Sequence, residues 1–264
     1  AGPRRGRVLQ GDLRECPRGR TRARGRLPQA WFPALFFPLM LMAVFTASFD
    51  RGFHLIPGFP RVHGFLDFVL SGSVTQGVLI GGVSSGAFLA RDIEGGFFDR
   101  LVSSPTSRFV LLTHRIAAGV VMAGLQAVVF VVVAMAFGAR IAGGVPGFLV
   151  LVALAALLAV PIAGLGILLA LRTGSAEAVQ GAFPLFFALM FFSSTFFPRQ
   201  TMHGWFKTVA DWNPISHLVE GMRAQVIEGF RPGAAAISLA IIAALAVLTV
   251  GGSALALRKR LAAG

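Results

Sequence analysis

Residues 31–49 read WFPALFFPLMLMAVFTASF, 19 residues without a charge. At 1.5 Å per residue, a helix of that length is about 28 Å long, close to the hydrocarbon thickness of a bilayer. Pro33 and Pro38 lie in its first half, where they are expected to bend it, and Asp50 and Arg51 end it. Comparable apolar runs recur at 65–90, 116–137, 146–171, 178–197 and 237–257. The pattern is that of an all-α integral membrane protein with six transmembrane helices.

Composition agrees. Hydrophobic residues make up 55% of the 264 positions and charged residues 13%, against about 25% charged in an ordinary globular domain. Mean hydropathy is +0.75. The net charge of +13 at first suggests nucleic acid, but its distribution does not. Nine of the 24 basic residues are Arg in the first 30 positions, and most others flank apolar runs, as positive charge does around membrane spans. No nucleic-acid partner is expected. Cys16 is the only cysteine, so no intrachain disulfide can form. Residues 1–26 are rich in Arg and Gly and show no secretory cleavage pattern. They are expected to be disordered or irregular, leaving 27–264 as the membrane domain.

The second run is rich in small residues. Gly77–Gly81 and Gly82–Gly86 both have the spacing that lets helices approach closely in lipid. Tight packing is one reading and a substrate path the other. Polar residues inside runs are few. Asp67 and Glu177 lie near run ends, within reach of interfacial water. Gln76 and Gln126 sit deeper, where an amide either bonds a neighbouring helix or contacts a substrate.

Two polar stretches interrupt the runs. Residues 91–108 are too charged for lipid, and Ser104-Pro105 reads as a helix cap and first helical residue. Residues 198–234 cannot span either. Asn213-Pro214 is a helix start. Ile215, Leu218, Val219, Met222 and Val226 recur at helical spacing, with His217, Glu220 and Gln225 largely elsewhere on the wheel. This predicts an interfacial or re-entrant helix, on which Glu220 and Arg223 are three apart and able to pair.

No catalytic constellation is present. The five histidines fall in no metal-ligand spacing, and neither Lys207 nor Lys259 sits in a phosphate-binding GxxxxGK[ST] loop. No cofactor is expected on this chain, and any ATP and its magnesium would be bound by another polypeptide.

Three stretches carry a resemblance: FLDFVLSGSVTQ (65–76), ARDIEGGFFDRLVSSPTSRFVLLTHR (90–115) and FPLFFALMFFSSTFFPRQTMHGWFKTVADWNPISHLVEGMRAQVIEG (183–229). Together they resemble the ABC type-2 transporter permease family, and within it the daunorubicin-resistance-type drug-export branch. The likeness covers roughly residues 28–260. It implies a six-helix permease in the plasma membrane, working as a homodimer with a separate ABC ATPase to export a hydrophobic or amphipathic compound. It also implies a cytoplasmic coupling helix around Arg91–Leu101, with Arg91, Asp92, Glu94, Phe97, Phe98, Asp99, Arg100 and Leu101 meeting the ATPase. An outer gate would involve Asn213, Pro214, Glu220 and Arg223, and a substrate path Gln76 and Gln126. Gly95 and Gly96 weaken a continuous helix there by about 1 kcal/mol each, so a break is expected and the coupling helix proper from about Gly96. The family's amphipathic helix before the first span has no counterpart in the Arg/Gly/Pro-rich start. Other readings are a membrane-embedded lipid-modifying enzyme, a permease for a polysaccharide or glycolipid, and a non-transporting membrane subunit.

Six spans with both termini cytoplasmic place 17 basic residues inside and seven outside, or eight and seven without the first 26 positions. Single cysteines at Arg140 and Arg172 should therefore label oppositely from outside intact cells; equal labelling would overturn this topology.

Overall fold

The computed structural model describes residues 27–96 and 108–262. Among these the regular elements are helical. Helix α1 is Leu27–Phe49, α2 Phe65–Glu94, α3 Arg108–Ala136, α4 Gly144–Thr173 and α9 Pro232–Ala262. All five are long and apolar enough to cross a membrane. Both prolines of α1 lie inside one unbroken helix. Helix α3 starts before His114 and Arg115 and takes them into its first two turns.

The fifth apolar run is not one helix. It divides into α5 (Ala176–Gly181) and α6 (Phe183–Phe191), parted at Ala182 just before Phe183-Pro184. Proline at the second position of α6 lacks an amide hydrogen and cannot continue the hydrogen-bond ladder from α5. Together α5 and α6 nonetheless run the length of α2. Ala176 meets Glu94 at one end of α2, and Thr195, just beyond α6, meets Gly72 near the other. The polar stretch that follows folds into α7 (Gly204–Trp212) and α8 (Pro214–Ile227).

Helix α2 is the axis. Of its most apolar window 89% is buried, against 17% for α1 and 11% for α9, so α2 is surrounded by protein and the other two face outward. It packs on α1, α3, α4, α5 and α8. Its approach to α4 is backbone to backbone: a Cβ on Gly86 would lie 2.6 Å from the Gly166 Cα, and one on Gly82 would lie 2.1 Å from Ile162 Cγ2. The other glycine pair divides. Gly77 packs under Gln126 of α3, whereas a Cβ on Gly81 would meet open space. Spacing alone thus marked two close-approach pairs, and one of them forms, because residues 77 and 81 face different surroundings.

At the end of the bundle that holds the α2 start, Asp50 Oδ1 accepts from the Phe65 amide at 3.1 Å and caps α2, whose own N-cap residue, Gly64, has no side chain to do so. Asp67, in the first turn of α2, is buried, and it accepts from the Arg140 amide at 2.9 Å. At the opposite end lie Glu94, the α4–α5 turn and the last turn of α9, where Arg260 reaches Leu171 O at 3.4 Å. The chain's direction through α1 and α9 puts the start of α1 and the end of α9 at this second end.

Gly86→Leu should force α2 and α4 apart, since the obstacle is backbone that cannot rotate away; a loss of about 1–3 kcal/mol is expected for such overpacking. Gly81→Leu should be tolerated. Size-exclusion profile and thermal midpoint of the two variants decide the point, and equal behaviour would overturn this account of the packing.

Candidate functional site

Apart from Gln76 and Gln126, the described residues singled out from sequence fall at the two ends of α2. At the Glu94 end, Arg91, Asp92 and Glu94 occupy the last turn of α2 itself. Gly95 caps that helix, and Gly96 leaves it at φ +65°, a conformation that suits glycine. The helix therefore stops where the Gly-Gly pair predicts. Phe97, Phe98, Asp99, Arg100, Leu101 and the Ser104-Pro105 cap lie outside the described residues.

The two acids of that last turn have partners within the chain. Asp92 forms an ion pair with Arg115 of α3. Glu94 Oε1 accepts from the Ala176 amide at 2.7 Å, where α5 begins and its amides lack helical partners. Three helices are thus tied to one turn. Arg91 remains exposed, its guanidinium 5.5 Å from the Phe88 ring centroid. The sequence reading offered Asp92 and Glu94 as contacts for a partner protein; within the chain they also hold α2 to α3 and α5.

The opposite end is built around α8. Asn213 Oδ1 accepts from the Ile215 amide at 2.9 Å, the N-cap bond, and Pro214 follows as first helical residue. The same amide group donates from Nδ2 to Leu189 O at 2.7 Å and Phe192 O at 3.1 Å, which caps the end of α6. One side chain therefore joins the end of α6 to the start of α8. Directly after α6, over 192–198, the chain is non-helical. Ser194 donates through its amide and hydroxyl to Ser216 of α8, at 3.1 and 3.3 Å.

Glu220 and Arg223 do not pair. Arg223 turns inward to α2, donating from Nε to Phe68 O at 3.2 Å and from Nη2 to Thr195 O at 3.0 Å, with its guanidinium 3.7 Å from the Phe68 ring centroid. It has no carboxylate within ion-pair distance among the described residues. Burial pulls its pKa down to about 9, opposed in part by the nearby Glu220 charge. Glu220 turns the other way, to a bidentate pair with Arg199, and that hydrogen bond is the first cause raising the Arg199 pKa. Arg199 also reaches Asp211 Oδ1 at 3.2 Å and His217 Nδ1 at 3.4 Å. An arginine can only donate, so His217 Nδ1 accepts, and Nε2 carries the hydrogen given to Asp211 O at 2.9 Å. Arg199 thereby fastens the loop after α6 to α7 and α8. Sequence reasoning missed this knot; the available signal was an arginine directly after the Pro198 that ends an apolar run.

Gln225 is buried as well, bonded to the Arg231 backbone at 2.9 Å, so the polar face expected of α8 narrows to His217 and Glu220. Of the two intramembrane glutamines, Gln126 donates to Ala34 O at 2.6 Å and joins α3 to α1. Gln76 is buried, and its Nε2 has no partner among the described residues, as is also true of Ser71 Oγ nearby on α2.

Arg223→Ala should destabilise by about 3 kcal/mol, because two buried carbonyls lose their donor and the Phe68 ring its cation. Glu220→Ala should cost about 1 kcal/mol or less, as suits a half-exposed ion pair. Thermal unfolding of both variants checks the order, and equal losses would restore a Glu220–Arg223 pair.

Comparison with known proteins adds two findings. The family model for ABC-2 type transporters matches residues 16–227. Over 194 residues the chain is 27% identical to the daunorubicin resistance ABC transporter permease protein DrrB1 of Streptomyces coeruleorubidus, a match covering 72% of this chain and 65% of that relative. The matched stretch thus spans about two thirds of the relative's length.

Proposed function

The chain belongs to the ABC-2 type transporter family, and from that premise we propose that it is the membrane-spanning permease of an exporter driven by ATP hydrolysis on a separate ABC ATPase. The broken α5–α6 pair serves as a sixth span, both termini face the cytoplasm, and two permease copies work with two ATPase subunits. The cargo is a hydrophobic or amphipathic compound, in keeping with the named activity of the daunorubicin-resistance relative.

The observation that carries this reading is the double anchorage of α2. The helix is 30 residues long, about 45 Å, and is gripped at one end by Asp92 and Glu94 and at the other by Arg223. A partner pushing on the segment that follows Glu94 would move α2 as a rod. Asp92 and Glu94 would carry the displacement to α3 and α5, and Arg223 would carry it to α8, the outer gate. The role of Asp92 and Glu94 in this account is transmission, with Phe97–Leu101 making the contact to the ATPase. The unpartnered Gln76 amide on the same helix supports a polar contact for cargo along the path, since a buried N–H without an acceptor is costly until something accepts from it.

Replacing both acids, Asp92→Asn with Glu94→Gln, should abolish most export while leaving membrane insertion and co-purification with the cognate ATPase intact. Asp99→Arg should instead weaken the ATPase association. Export by the double variant at the normal rate would remove the transmission role, and loss of ATPase binding in that variant would return both acids to the contact surface.

A further inference from the structure

At the end of the bundle where Glu94 lies, α4 and α9 leave a cleft of about 500 Å³ between them. Among the described residues its polar lining is basic: Arg172 from the last turn of α4, and Lys259 and Arg260 from the last turns of α9. Its apolar lining is Leu171, Leu255 and Ala256. Among the described residues no acidic side chain lines it.

Helix C-termini attract cations, so part of this charge needs no ligand to explain it. Arg260 is accounted for in that way, donating to Leu171 O at 3.4 Å. Arg172 and Lys259 are not. Neither has an ion-pair or hydrogen-bond partner among the described residues, and both are exposed. Leu255 precedes Lys259 by four residues and Ala256 precedes Arg260 by four, so along α9 each cation stands one turn outside an apolar residue. Leu255 is 60% exposed on a helix whose apolar window is only 11% buried, so in a bilayer this wall would face hydrocarbon.

We propose that this cleft binds an anionic phospholipid, its phosphodiester held by Arg172 and Lys259 and its acyl chain lying against Leu255 and Ala256. The order of the lining, charge at the helix ends and hydrocarbon one turn deeper, is that of a lipid at the interface, and basic pockets between membrane helices take such headgroups. A soluble phosphate would make no use of the apolar wall. An acidic protein surface would not reach a wall that faces the bilayer. The bound lipid braces α4 against α9 beside the turn from Thr173 to Ala176, the same turn whose amide Glu94 caps.

The test uses the full chain purified in neutral detergent and offered equal amounts of dioleoyl phosphatidylglycerol and dioleoyl phosphatidylcholine, with bound lipid counted by native mass spectrometry. The wild type should retain phosphatidylglycerol in preference. Arg172→Gln with Lys259→Gln should weaken that retention roughly thirtyfold, the product of about five- to sixfold for each surface cation removed. Arg231→Gln, at the other end of the bundle, should change nothing, and soluble glycerol phosphate at the lipid's concentration should not compete. Equal retention of the two lipids by the wild type overturns the site whether or not the double variant folds. An unchanged double variant also overturns it and leaves the cations to a protein partner, while displacement by glycerol phosphate reduces it to a phosphate site.

Discussion

A buried guanidinium with no carboxylate beside it must be solvated by carbonyls, and where Arg223 finds them organises half of this molecule. One is Phe68 O in the first turns of α2, and the other is Thr195 O in the chain that has left α6. Backbone that is not helical at membrane depth is tolerated only where protein satisfies it. The stretch after α6 meets that condition through α8: Ser216 serves Ser194, Asn213 serves Leu189 and Phe192, and Arg223 serves Thr195. The small residue Gly72 lets the strand of chain come that close, since a Cβ there would lie 2.9 Å from Thr195 Cγ2. Helix α8 is in this sense less an appendage than a set of caps for the end of α6 and the chain that leaves it.

The opposite end of α2 uses charge for a related purpose. Glu94 satisfies an amide at the start of α5, and Asp92 neutralises Arg115. A helix clamped at both ends and packed backbone to backbone on α4 through Gly82 and Gly86 cannot shift alone. Such an element suits a protein that must carry a displacement across the membrane, because the packed core is stiff and the anchors are charged bonds aimed at specific atoms. The cleft between α4 and α9 adjoins the same turn, so on the lipid-binding proposal lipid composition would act on the joint that α2 uses.

Much of this could be read along the chain. The runs of apolar residues locate the five long helices, the Asn213-Pro214 pair locates the start of α8, and Gly95-Gly96 locates the end of α2. Each is a local property: hydrophobic length, a side chain that bonds an amide two residues on, a residue free to take positive φ. The family, too, was visible in stretches of contiguous sequence, and the match to ABC-2 type transporters confirms it.

Partner choice was not visible in this way. Glu220 and Arg223 have the spacing of a pair, yet the burial of one helix face sends Arg223 to α2 and leaves Glu220 to Arg199, 21 residues back in the chain. Gly77 and Gly81 have the spacing of a packing motif, yet only Gly77 faces a helix. Asp92 and Glu94 are charged and near a loop, yet both bond neighbouring helices. By itself the sequence determined where helices begin, end and cross lipid, since those depend on residues within a few positions of one another. Which polar groups meet was decided only when α2 was surrounded, because inside the bundle a buried charge or amide takes whatever partner the packing brings within hydrogen-bond reach.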